Sequence, residues 1–198
     1  DLMRGRDLQL FWIASFLMVL AHGVFYGYFS LYLQEYDYSA SVIGFLWTVG
    51  VLLEVLFFAF QTRIFERMGR LTWLVWSYLA CVIRFGLVAS FPELLWVLVL
   101  AQCGHALTFA AHHTATITWL RERLPQQVHG RAQALYATIA YGLGGTSGTV
   151  LGKWAWGAFS PSAAFYLAAV AGAIALVFGI LLWLQHQSST QHGVLRSH

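Results

Sequence analysis

The stretch Leu94–Leu120, LLWVLVLAQCGHALTFAAHHTATITWL, decides the fold. About 20 apolar residues in a helix cross the roughly 30 Å hydrocarbon core of a bilayer, and this run is long enough. Yet it carries Gln102, His105, His112 and His113, side chains that lipid accepts only at a cost. Five more runs of the same kind lie around it: Leu8–Leu33, Ser41–Gln61, Thr72–Ser90, Ala132–Trp154 and Ser162–Gln185. The composition agrees. Of 198 residues, 59% are hydrophobic and 10% charged, whereas soluble domains are about a quarter charged.

Long unbroken apolar runs specify helices, because strands of a membrane barrel alternate polar and apolar residues. The expected fold class is therefore an all-α membrane protein with six transmembrane helices. Pro92, Pro125 and Pro161 all fall between the runs. Ser160-Pro161 is a helix start, with serine as cap and proline at the first helical position. Cys81 and Cys103 lie inside helices and read as buried thiols rather than a disulfide. The opening residue, Asp1, and the absence of a cleavable signal pattern fit a piece of a longer chain.

Charge gives an expected orientation. Arg4, Arg6, Arg63, Arg67, Arg70, Arg121, Arg123, Arg131 and Arg196 fall on one set of loops and termini. The opposite loops hold Lys153 with Glu35, Asp37 and Glu93. The positive-inside rule then places both termini in the cytoplasm of a multi-pass inner-membrane protein. The net charge of +3 comes from these inner loops, so no nucleic-acid partner is assigned.

Two full charges remain at depth, Glu54 and Arg84. Their helices are joined by a short loop, so the two are expected to pair, either as a structural ion pair or as a pair coupled to protons or solute. In the Leu94–Leu120 run, Gln102, His105, Phe109, His112 and Thr116 step by three and four residues onto one stripe, with His113 beside it. That stripe is expected to wall an aqueous or solute path, and imidazoles there suit proton handling. His22 and Tyr26 in the first run, and Gln133, Tyr136 and Tyr141 in the fifth, are expected to join it. Gly144, Gly148 and Gly152 form a small-residue ridge for close helix packing. The sixth run is nearly free of polar side chains and faces lipid.

Enzyme readings fail on the residues present. Gly145-Thr146-Ser147-Gly148 has the nucleophile pattern of intramembrane rhomboid proteases, but no histidine base lies within the last helix, and the chain has no asparagine. A haem or metal protein is the remaining alternative for His22, His105, His112 and His113. However, two imidazoles two turns apart on one helix do not make a bis-histidine site, and no second carboxylate or thiol joins the stripe. The reading therefore assigns no enzyme activity, no cofactor and no metal.

The segments GRLTW, AQCGHALTFAAHHTAT and GRAQALYATIAYGLGGTSGTVLG together resemble the C-terminal half of major facilitator superfamily transporters. The closest branch is the phenylpropionate-permease-like group, related to lactose-permease-type proton symporters. The resemblance implies half of a 12-helix transporter, built as two inverted three-helix repeats with solute near the midplane. Residues 1–7 would end the central cytoplasmic linker, 8–185 would form the bundle, and 186–198 a cytoplasmic tail. The first, second, fourth and fifth helices would face the cavity or the other half. Glu54, Arg84 and His105 would serve proton coupling, with Thr108 where the sugar permeases carry a carboxylate. His22, Tyr26, Gln102, Thr108, Phe109, His112, Gln133 and Tyr136 would line the path of a small organic solute, such as an aromatic carboxylate. The expected partners are the lipid bilayer, protons, and a missing N-terminal six-helix half or a second copy. A self-associating bundle without transport activity is the reading from another class.

Overall fold

The computed structural model describes residues 2, 4–65 and 68–195; Arg67 and Arg196 of the basic set lie outside the described residues. The described chain is helical almost throughout: α1 Arg6–Glu35, α2 Ala40–Phe65, α3 Arg70–Ser90, α4 Leu95–Cys103, α5 His112–Arg123, α6 His129–Tyr136, α7 Thr146–Ala158 and α8 Pro161–Leu195. Leu107–Ala111, between α4 and α5, is π-helical, as is Ala137–Gly145 between α6 and α7. α8 runs on through the first ten residues of the expected tail.

Local chemistry explains the ends. Ser160 Oγ accepts the Ala163 amide at 3.2 Å, the cap anticipated before Pro161. Ser39 Oγ accepts the Val42 amide at 3.4 Å in the same way. α1 stops in a Schellman motif: the Tyr38 amide donates to the Leu33 carbonyl and the Asp37 amide to the Gln34 carbonyl, both at 3.1 Å. The motif needs a left-handed residue, and Asp37 supplies it with φ 58°.

Among the described residues, five helices are long and apolar enough to cross a membrane: Arg6–Glu35, Ala40–Arg63, Arg70–Ser90, Leu95–Arg123 and Pro161–Ser188. The chain is thus an all-α membrane protein. The sixth expected run, Ala132–Trp154, is helical but divided among α6, a π stretch and α7. Its glycines, threonines and tyrosines leave it poor in aliphatic carbon.

α1 is the centre of the bundle and α2 its most exposed span. α1 packs on α8, α7 and the second π segment, while α3 packs on α8, α5 and the first π segment. α2 leans on α4 and the first π segment. α8 buries Ala164, Phe165, Ala168, Ala171 and Ala175 against these neighbours and exposes Val170, Ile174 and Val177. Tyr32 ties α1 to α8 and α3, with its hydroxyl 2.9 Å from Ser162 Oγ and donating to the Val88 carbonyl at 3.1 Å. The opposite, basic end is closed by Arg123–Asp7 and by Arg70–Glu122 at 3.3 Å. A crevice of about 710 Å³ lies there, lined by Arg70, Trp119, Arg123 and His186 among others.

The glycine ridge meets α1. A Cβ on Gly148 would collide with the Leu20 carbonyl, and one on Gly144 would stand 2.7 Å from the Phe16 carbonyl. Backbone cannot step aside as a side chain can, so this contact requires glycine. Gly152 is looser, facing the Tyr28 ring at 3.1 Å.

Candidate solute and proton site

Arg84 of α3 is only 2% exposed. Its Nε–H donates to the Ala101 carbonyl at 3.0 Å, Nη1–H to Thr108 Oγ1 at 3.2 Å and Nη2–H to Gln102 Oε1 at 3.0 Å. Ala101 lies in the last turn of α4, where carbonyls lack an α-helical partner and attract cations. The guanidinium carbon also sits 4.1 Å from the Phe25 ring centre and 4.9 Å from that of Phe85, a cation–π arrangement. The cation is therefore solvated by neutral oxygens and ring faces, with no carboxylate among its described hydrogen-bond partners.

Glu54 pairs elsewhere. Its Oε2 lies 3.5 Å from Nε2 of His105, and its side chain is 19% exposed. The expected Glu54–Arg84 pair is thus replaced by Glu54–His105. The reason lies in the packing. α2 and α3 touch near the basic end, where Phe65 stacks on Trp73 at 4.9 Å. At mid-depth α2 packs on α4 and the first π segment instead, so His105 reaches Glu54 first. Gly50, one turn before Glu54, faces the same pair: a Cβ there would make ordinary contacts with Gln102 Oε1 at 3.4 Å and His105 at 3.6 Å. Neither Gly50 nor Phe25 stood out in the sequence; the signal for Gly50 was its four-residue spacing from Glu54.

His22 of α1 completes the network. Its Nδ1 is 2.9 Å from the Met18 carbonyl and its Nε2 is 3.3 Å from Thr108 Oγ1. A carbonyl only accepts, so the ring proton belongs on Nδ1, and Nε2 shares the single Thr108 hydroxyl proton with the His105 carbonyl, also 3.3 Å from Oγ1. Thr108 therefore links Arg84 to His22 across three helices. Gln102 Nε2 and His105 Nδ1 are buried without a hydrogen-bond partner.

Along the stripe Gln102, His105, His112 and Thr116 are all buried, and Phe109 is half-buried. Phe109 stacks on His105, with ring centres 5.5 Å apart and planes at 13°. His112, expected to continue the path, is buried, its ring edge-on to Tyr78 of α3 at 5.4 Å. His113 takes the open side, with Nδ1 3.3 Å from the Tyr141 hydroxyl. The intervening Leu107–Ala111 is π-helical. That wider turn lies within the stripe, between His105 and His112.

Tyr26 is 48% exposed and lies within electrostatic reach of Arg84, Glu54 and Tyr141. Tyr136 is buried, its ring 5.6 Å from that of Tyr141. Gln133 is half-buried and makes no side-chain hydrogen bond to another described residue. The described residues contain no group of three or more His, Cys, Asp or Glu placed to hold a metal ion.

The chain is 35% identical over 122 residues to the probable 3-phenylpropionic acid transporter of Escherichia coli, covering 62% of this chain and 32% of that protein. It is 24% identical over 192 residues to the uncharacterized transporter YwbF of Bacillus subtilis, covering 97% and 47%. It is 25% identical over 165 residues to the maltose permease of Geobacillus stearothermophilus, covering 79% and 41%. The chain thus spans less than half the length of each of these relatives. No solved structure matches it significantly. Residues 1–167 match the MFS_1 like family. With apolar helices built around one buried arginine and a Glu–His pair, the chain belongs to the MFS_1 like family.

Proposed function

We propose that the chain is the C-terminal half of a secondary active transporter that moves a small aromatic carboxylate, such as 3-phenylpropionate, by proton-coupled alternating access. The observation that carries this reading is Arg84, a buried cation held by neutral acceptors only. A charge at a helix centre costs about 2.5–3.5 kcal/mol on insertion scales, so a cation with no fixed counter-charge is well suited to a mobile one. A solute carboxylate fits that role, replacing Gln102, whose Nε2 is unpartnered, as acceptor.

Charge balance then couples the proton. With Glu54 ionised and His105 neutral, the cluster of Glu54 and Arg84 sums to zero. One proton on the Glu54–His105 pair leaves it at +1, the complement of one carboxylate. Anion and proton together keep the site neutral, whereas either alone leaves a charge in a low-dielectric interior. Glu54 and His105 would carry the proton, and His22, Tyr26, Thr108, Phe109 and His113 would line the path. His112, Gln133 and Tyr136 would stand behind or beside it.

In this reading the six helical runs form two inverted three-helix repeats in the inner membrane, with the arginine-rich end and both termini cytoplasmic. The other half, or a second copy, would cover the exposed α2 face carrying Phe45, Leu52, Val55 and Phe60. The same face favours a second reading, a self-associating bundle without transport. The deciding experiment reconstitutes the full-length carrier in liposomes and follows labelled 3-phenylpropionate under an imposed pH gradient. Saturable uptake driven by an acid exterior is expected; uptake indifferent to the gradient overturns proton coupling, and its absence favours the bundle.

A further inference from the structure

We infer that Tyr26 and Phe109 form a right-angled aromatic corner that selects the ring of the solute, preferring an arene to a saturated ring of the same size. The inference rests on the carboxylate-carrier reading and adds the feature that tells one carboxylate from another.

The geometry is that of two walls. The Tyr26 ring stands at 90° to Phe109, with centres 6.5 Å apart, and at 89° to His105 at 6.2 Å. Each wall has a second, nearly parallel ring for a neighbour. Trp47 lies beside Tyr26 at 13° and 6.1 Å, and His105 lies beside Phe109 at 13° and 5.5 Å. The walls come from different elements, α1 and the first π segment, and α2 supplies Trp47. Phe25, one residue before Tyr26, is buried against Arg84, whereas Tyr26 itself is half-exposed. This large, half-exposed ring lies within electrostatic reach of Glu54 and Arg84 and 6.2 Å from the His105 ring.

Aromatic rings pair best in offset-stacked or edge-to-face geometry with centres 4.5–7 Å apart. An arene entering a right-angled corner makes one contact of each kind at once. A cyclohexyl ring buries a similar apolar area but has no quadrupole to match either wall. The area term is common to both solutes and cancels, leaving the ring–ring term to discriminate. Two such contacts correspond to a preference of roughly 5- to 150-fold. The tail of such a solute would run from the corner towards Arg84, Gln102 and Thr108.

The test uses the full-length carrier in liposomes, with 3-phenylpropionate and 3-cyclohexylpropionate competing for uptake. The wild type should favour the arene by roughly 5- to 150-fold. Tyr26→Leu and Phe109→Leu should each bring the ratio towards one, while Tyr26→Phe should keep it, whatever its effect on rate. If Tyr26→Leu does not insert, the nearly volume-conserving Phe109→Leu and the wild-type ratio still decide. Equal wild-type uptake of both acids overturns the corner and leaves the carrier standing. So does a ratio unchanged in the leucine variants. Failure to take up either acid overturns both readings.

Discussion

Two groups of arginines in this molecule live by different rules. At the basic end, Arg123 meets Asp7 and Arg70 meets Glu122, each pair matched in charge and partly exposed to solvent. At mid-depth, Arg84 is buried, fully engaged by dipoles and ring faces, and matched by no carboxylate, since Glu54 is spent on His105. The first group is balanced where water and salt would have screened it anyway. The second is unbalanced where imbalance costs most. A protein needing only a stable bundle gains nothing from a buried cation, because apolar replacements of buried charge are often neutral or stabilising. The contrast separates charge that holds helix ends from charge kept for a counter-ion that comes and goes.

The comparison can be broken first at a place with no charge at all. Gly148→Val drives a methyl group into the Leu20 carbonyl. Overpacking against backbone should cost about 3 kcal/mol or more and leave little folded protein, read as monodisperse yield in detergent. A folded variant with unchanged melting would show that α1 and α7 are not so close. Arg84→Met comes next: the carrier should still insert, but uptake should fall by roughly 100-fold or more, in line with a lost charge-assisted bidentate contact. Near-normal uptake would assign Arg84 to structure.

Glu54→Gln removes the titrating partner and keeps the shape. It should abolish accumulation against a gradient and spare solute exchange; unchanged accumulation would take Glu54 out of the coupling. The smallest effect belongs to the basic end. Arg123→Ala should cost roughly 0–1 kcal/mol, and less in high salt, measured by thermal unfolding in detergent. A large, salt-insensitive loss there would erase the distinction between the two groups.

Much of this was readable from composition and spacing. Long apolar runs with few charges demand helices in a membrane, and Glu54, Arg84, Gln102 and His105 stood out because lipid excludes them. Ser160-Pro161 announced the start of α8, and the four-residue glycine spacing announced a close helix contact. Pairing was harder. Glu54 and Arg84 belong to helices joined by a short loop, but proximity along the chain does not decide which helix lies between them, and α4 with its π extension does. The Gln102–Thr116 spacing kept its polar side chains on the packed side, but the π turn between residues 107 and 111 was not legible, since no residue type announces such a turn. The count of spans differed for another reason: Leu95–Arg123 counts as a span despite its π turn, whereas the Gly- and Thr-bearing run from Ala132 to Trp154 is not strongly apolar.

The central claim is that water and solute reach the mid-depth cluster. It is tested most directly by thiol accessibility in the full-length carrier after Cys81→Ala and Cys103→Ala. Tyr26→Cys beside the cluster and Val170→Cys on the exposed stripe of α8 would be treated with a membrane-impermeant maleimide, with and without 3-phenylpropionate. The account predicts rapid labelling at position 26, slowed by the solute, and none at position 170. Equal inertness at the two positions would contradict it.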